Sequence, residues 1–188
     1  AAGIGPGDEV ITVAHTFLAT ISAIVLAGAK PVLIDIGEDW NMNTSKIEAA
    51  ITPKTKAIIP VHLNGRMADM DEVMRIAKAH NLVVVEDACQ SLTATQNGNA
   101  AGTIAAVGCF SFYPFKIFGC FGEGGAVTTN DEGLYKKIKL LRYHGVDRDP
   151  ARTPVTFGFN AILDNIQAAV LNVKLKHFPD WIKRRQEI

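Results

Sequence analysis

The chain has 188 residues, 48% of them hydrophobic and 20% charged, enough apolar material for one domain with a substantial core. Its 19 basic and 19 acidic residues cancel and form no dense Lys/Arg block, which argues against a nucleic-acid groove or a membrane-surface patch and for a small partner. No apolar run reaches the roughly 18 residues needed to span a bilayer, and Ala1 to Gly7 lacks the basic and apolar regions of a signal peptide, so a cytoplasmic location is expected.

Both ends read as cut from a longer protein: the start has no initiator methionine, and Trp181 to Ile188 is charged helix with no capping residue after it. Cys89, Cys109 and Cys120 form no C-x-x-C pair and sit among apolar or small residues, which favours buried free thiols over disulfides or zinc ligands. The five histidines are too scattered to suggest a metal site, and His62, at a strand end, is the one worth testing.

In chain order, β-rich runs are expected at Glu9 to Val13, Pro31 to Ile36, Ala57 to Val61, Leu82 to Glu86, Val107 to Phe112 and Gly125 to Thr129. Helical patterns lie between them, which favours an α/β fold with a mostly parallel sheet. Thr16 to Ala27 is apolar nearly all round and stops at Gly28, so it reads as an internal helix covered on most sides. Asp69 to His80 mixes Met70, Val73, Met74, Ile76 and Ala77 with charged residues, the pattern of a half-exposed helix on a sheet. Asp131 to Tyr143 is a further helix, capped by Asn130 or Asp131 and stopped near Gly145. From Asp164 onward, apolar residues at helical spacing predict a long helix leading out of the domain.

Three stretches carry chemistry. The apolar run Leu82 to Val85 suits a central parallel strand covered on both faces, and it runs into Glu86 and Asp87 at the carboxyl end, where ligands sit in such sheets. A carboxylate there needs a partner, a buried cation being one; an exposed turn or a helix N-cap is the plainer alternative. Ser111-Phe112-Tyr113-Pro114-Phe115-Lys116 ends a strand in a proline turn and delivers a lysine into apolar sequence. Desolvation there would make the amine a nucleophile, although a lysine that snorkels past its aromatic neighbours fits the stretch equally well. Gly122-Glu123-Gly124-Gly125 follows; it is neither a P-loop nor G-x-G-x-x-G, and by itself permits only a tight turn or close backbone approach.

Together with Pro6 to Ile11, Thr16-Phe17, Gly28 to Val32, Ala57 to His62, Glu86 to Gln90, Gly122 to Asn130 and Phe159-Asn160 through Ala169, these stretches resemble the DegT/DnrJ/StrS sugar aminotransferases over nearly the whole chain. The resemblance implies an aspartate-aminotransferase-like, three-layer α/β/α large domain for pyridoxal 5′-phosphate (PLP). Residues 1–176 would form it without its N-terminal segment, and 177–188 would begin the helix toward a C-terminal small domain that is largely absent. The implied activity is transfer of an amino group from glutamate or glutamine to a nucleotide-linked keto sugar. Lys116 would form the Schiff base with PLP and Asp87 would pair with the pyridine nitrogen. Phe17 would stack on the ring, Gln90 would bond near the phenolic oxygen, and Ser111 would bind the phosphate. Asn160 would reach the phosphate of a neighbouring subunit, which implies a homodimer with shared sites. The chain departs from the family pattern at Leu92, where a histidine is usual, and at Ile162, where an arginine is frequent. A PLP-dependent sugar dehydratase and a catalytically silent PLP-binding relative remain as alternatives; the retained Lys116 argues against both.

Overall fold

The structure, a computed structural model, describes residues 1–147 and 151–188. Six strands form one sheet: β1 (Glu9–Val13), β2 (Lys30–Ile34), β3 (Thr55–Ile58), β4 (Val83–Asp87), β7 (Val107–Ser111) and β8 (Gly125–Thr128). Their order is β2-β1-β3-β4-β7-β8. Neighbours pair in parallel except β8, which runs antiparallel to β7. Between β4 and β7 lies a two-stranded hairpin, β5 (Thr95–Gln96) and β6 (Asn99–Ala100).

Successive side chains on a strand point to opposite faces, and the core follows that rule. Val10, Ala57 and Val83 pack on one face with Ile24 of helix α1 (Leu18–Leu26). Ile11, Ile58 and Val84 pack on the other with Ile47 of α2 (Ile47–Ala50) and with Met70, Val73 and Ile76 of α3 (Met70–Ala79). The result is the expected three-layer α/β/α arrangement. A third cluster joins Phe118 and Cys120, in the β7–β8 connection, to Leu171 of α5 (Asn165–Leu175), with Phe178 of α6 (Phe178–Gln186) packed against it.

The local signals act as the sequence predicts at several ends. Asp69 caps α3 by accepting from the Glu72 N–H at 3.2 Å. Of the two candidate caps for α4 (Glu132–Leu141), Asp131 is the one used: its Oδ1 accepts from the Leu134 N–H at 2.8 Å. Gly28 stops α1 with φ +83°, and an added Cβ there would lie 2.9 Å from Pro6 Cγ.

Elsewhere the structure corrects the reading. Helix α1 buries only Thr20 and Ile24; Leu18 is 69% and Leu26 83% exposed, because the sheet covers one side and nothing among the described residues covers the other. The strand foreseen at Pro31 to Ile36 is β2 from Lys30 to Ile34, with Ile36 instead bridging Met42. The single long helix foreseen after Asp164 is two, separated at Lys176 and His177, with Pro179 in the first turn of α6 where its missing N–H costs nothing. Among the described residues no helix is long and apolar enough to cross a membrane.

Ile11 is fully buried in the α3-side cluster. Ile11→Ala is expected to lower stability by about 2–5 kcal/mol through lost burial and the cavity left behind, read as a lower denaturant midpoint at unchanged slope.

Candidate active site

Strand β4 ends in two adjacent carboxylates, and the pleat sends them to opposite faces. Glu86 follows Val84 to the α3 side and is fully buried. Its Oε2 accepts from the Gly102 N–H at 2.8 Å and from His62 Nε2 at 3.0 Å; its Oε1 accepts from the Ile104 and Ala105 N–H groups at 2.8 and 2.7 Å. His62 is fully buried too, and its Nδ1 accepts from the Ala68 N–H at 3.2 Å, which leaves Nε2 as the nitrogen that donates to Glu86. Burial alone would raise the Glu86 pKa, but the bonds from His62 and the three loop N–H groups outweigh it and hold the carboxyl below its usual range. The partner that a buried carboxylate requires is thus a ring of N–H donors rather than a lysine, and Glu86 serves the fold.

Asp87 follows Val83 and Val85 to the α1 side. Its Oδ2 accepts from Thr20 Oγ1 of α1 at 2.7 Å, and its Oδ1 from the Cys89 N–H at 3.2 Å. Thr20 is braced in turn by Thr16 Oγ1 at 2.8 Å. The Asp87 backbone is fixed from both sides, its N–H donating to Pro60 O and its carbonyl accepting from the His62 N–H, each at 2.9 Å. Each carboxylate oxygen keeps a lone pair free.

Strand register extends this face. Asp87 pairs with Cys109 on β7, so Cys109 and Ser111 point to the α1 side while Phe110 packs into the α3-side cluster. Ser111 Oγ accepts from the Tyr113 N–H at 3.2 Å, and its own hydrogen remains available to donate. A turn closed by the Lys116 N–H on Tyr113 O at 2.8 Å, with Pro114 in its second position, then delivers Lys116. Lys116 is half-buried, not enclosed by its aromatic neighbours: Phe112 and Phe118 pack into the α5 cluster, whereas Phe115 is 89% exposed. Phe17, immediately before α1, is 70% exposed with its backbone extended.

Cys89, whose N–H donates to Asp87, is partly buried. Burial raises that thiol's pKa first, the negative charge of Asp87 and its hydrogen bond raise it further, and the positive charge of Lys116 opposes them. Cys109 is pushed up to about 11 by burial and by the charges of Asp87 and Glu86. Both thiols therefore stay protonated at neutral pH, and all three cysteines are free.

Lys116 also lines an open cavity of about 740 Å³ together with Gln90 and Asn64. Gln90 Oε1 accepts from the Asn64 N–H at 3.2 Å, which leaves its amide N–H groups free to donate. Asn160 stands apart: it bridges Tyr143 beyond the end of α4, and neither the cavity lining nor the bonds around Asp87 include it. The glycine run is a close approach of backbone, since a Cβ on Gly125 would lie 2.7 Å from Phe110 O. The buried His62–Glu86 pair and the β5–β6 hairpin were not foreseen. The pair needs the tertiary fold to be seen, while Asn97-Gly98, both with positive φ, is a hairpin signal in the sequence itself.

A model of the DegT/DnrJ/EryC1/StrS aminotransferase family matches residues 1–188. The pleiotropic regulatory protein of Geobacillus stearothermophilus is 48% identical over 100% of this chain and 50% of its own length. The UDP-2-acetamido-2-deoxy-3-oxo-D-glucuronate aminotransferase of Pseudomonas aeruginosa is 46% identical over 100% of this chain and 52% of its own length. Among solved structures, S. venezuelae DesV in complex with a ketimine intermediate superimposes with a TM-score of 0.92 at 44% identity, covering 98% of this chain and 50% of that one. The chain spans about half the length of the curated relatives it matches.

Glu86→Ala would strand the His62 Nε2–H and three backbone N–H groups in a dry interior, and a loss of about 3–5 kcal/mol in unfolding free energy is expected. Because the fold holds Glu86 below its unfolded value of about 4.3, its contribution is present above that pH and fades as pH falls through the lower folded value. The acid limb of the stability curve is therefore expected to be shallower for Glu86→Gln than for the wild type when both are melted across that range.

Proposed function

The chain belongs to the DegT/DnrJ/EryC1/StrS aminotransferase family, and from that premise we propose that it is the PLP-binding part of an aminotransferase that passes an amino group from glutamate or glutamine to a nucleotide-linked keto sugar. The observation that carries this reading is the common face of Asp87, Ser111 and α1, with Lys116 delivered by the turn that follows Ser111. The donor set fits the cofactor: a carboxylate with free lone pairs, a hydroxyl with a free hydrogen, a flat exposed aromatic ring and an amine.

Lys116 would hold the cofactor through Nζ, and its freed amine would be the group to carry a proton to and from the substrate carbon. Asp87 would keep a proton on the pyridine nitrogen, and the bond from Thr20 Oγ1 orients its carboxylate. Ser111 would donate to the phosphate, Gln90 would donate to the phenolic oxygen, and Phe17 would stack on the ring. When bound, PLP supplies an electron sink for the deprotonated carbon. Asn160 serves the phosphate in a second subunit, and the exposed apolar side of α1 supports a homodimer with shared sites. Residues 1–176 are the PLP-binding large domain, and α6 leads toward a small domain. Three free thiols suit a reducing compartment such as the cytoplasm.

The test uses the full-length protein with added PLP, followed by absorbance in the bound-cofactor band before and after glutamate. Wild type is expected to develop the band and lose it to glutamate with formation of 2-oxoglutarate. Lys116→Ala should keep its fold and lose both band and turnover, and Asp87→Asn should bind PLP but turn over roughly 10²-fold or more slowly. Turnover by Lys116→Ala would refute the reading.

A further inference from the structure

Helical spacing places Ile182, Arg185 and Gln186 of α6 on one face, and that face forms a wall of the cavity into which Lys116 opens. The other walls carry the amides of Asn64 and Gln90 and the hydroxyls of Thr93 and Thr95. Among the described residues, the two charged members of the lining, Lys116 and Arg185, are both cationic, and no acidic side chain lines the cavity. On the function proposed above Lys116 belongs to the cofactor, which leaves Arg185 as the cation open to another ligand.

Arg185 has no ion-pair or hydrogen-bond partner among the described residues, whereas its neighbour Arg184 pairs with Glu187 at 3.4 Å. An unpaired guanidinium is a planar fork of N–H donors suited to two oxygens of one carboxylate or phosphoryl group. Amide and hydroxyl donors beside it can complete the shell of such an anion. A cavity of about 740 Å³ is also of the size that takes a whole small-molecule substrate rather than a cofactor ring alone.

We infer that Arg185 seats an anionic group of the substrate, the carboxylate of the amino donor or the phosphoryl oxygens of the sugar nucleotide. The inference rests on Lys116 marking the reacting end of this cavity, and Arg185 acts as a binding residue with no part in proton transfer. Both sources offer the same chemistry, an oxyanion with two oxygens in reach of one guanidinium.

Full-length protein carrying Arg185→Gln or Arg185→Lys separates them. One arm follows the holoenzyme's spectral change across a glutamate titration; the other measures UDP binding to cofactor-free protein by calorimetry. Arg185→Gln is expected to weaken one of the two, in half-saturating glutamate or in the UDP dissociation constant, by about tenfold or more, with the limiting rate at saturating glutamate unchanged. Arg185→Lys, which keeps the charge and loses the fork, should recover part of the loss. A loss in the glutamate arm assigns the carboxylate and a loss in the UDP arm assigns the phosphoryl group. Wild-type values in both arms for Arg185→Gln, or a fall in limiting rate alone, overturn the inference. The UDP arm needs no cofactor chemistry, so failure of wild type to take up PLP sinks the role of Lys116 without deciding that of Arg185.

Discussion

At the carboxyl end of β4 a buried anion has to be satisfied without a counter-charge, and much of the site depends on how that is done. Four N–H donors converge on Glu86, one from His62 and three from residues 102–105, and these bonds tie the end of β3 and the approach to β7 to the same strand. A carboxylate in that position with any donor missing costs several kcal/mol, so the loop and the histidine have little freedom to move. What the saturated side gains in rigidity the other side uses: the next residue, Asp87, is turned by the pleat toward α1 with its backbone fixed and its oxygens only partly engaged.

Face segregation then explains the rest of the constellation. β7 lies beside β4 in a register that carries Ser111 to the same side as Asp87, and the proline turn that follows delivers Lys116. Helix α1 lies over this face and contributes Thr20 to Asp87 and, at its start, the exposed ring of Phe17. Rigid elements hold the carboxylate and hydroxyl, while the lysine comes from a short turn.

How much of this could be read from residues alone varies with the range of the interaction. The uninterrupted apolar run before Glu86 and the Pro114 turn before Lys116 are local signals, and both elements lie where those signals place them. The different duties of Glu86 and Asp87 were not legible, because two neighbouring acids look alike until the strand's orientation in the sheet is known. His62 was visible only as a histidine at a strand end; its partner lies 24 residues away in sequence. The apolar surround of α1 reads as a helix covered on most sides, yet Leu18 and Leu26 face outward, since helical periodicity does not show which faces the rest of the fold reaches. Asn160 shows the same limit, lying away from the cavity that Lys116 and Gln90 line.

The proposed function requires Asp87 to face the pyridine nitrogen of a cofactor carried by Lys116. It is tested most directly by the ¹⁵N chemical shift of the ring nitrogen in full-length protein loaded with ¹⁵N-labelled PLP. A protonated pyridinium is expected in the wild type and a neutral ring nitrogen in Asp87→Asn at the same pH. The same shift in both proteins, with the label shown to be bound, would contradict it.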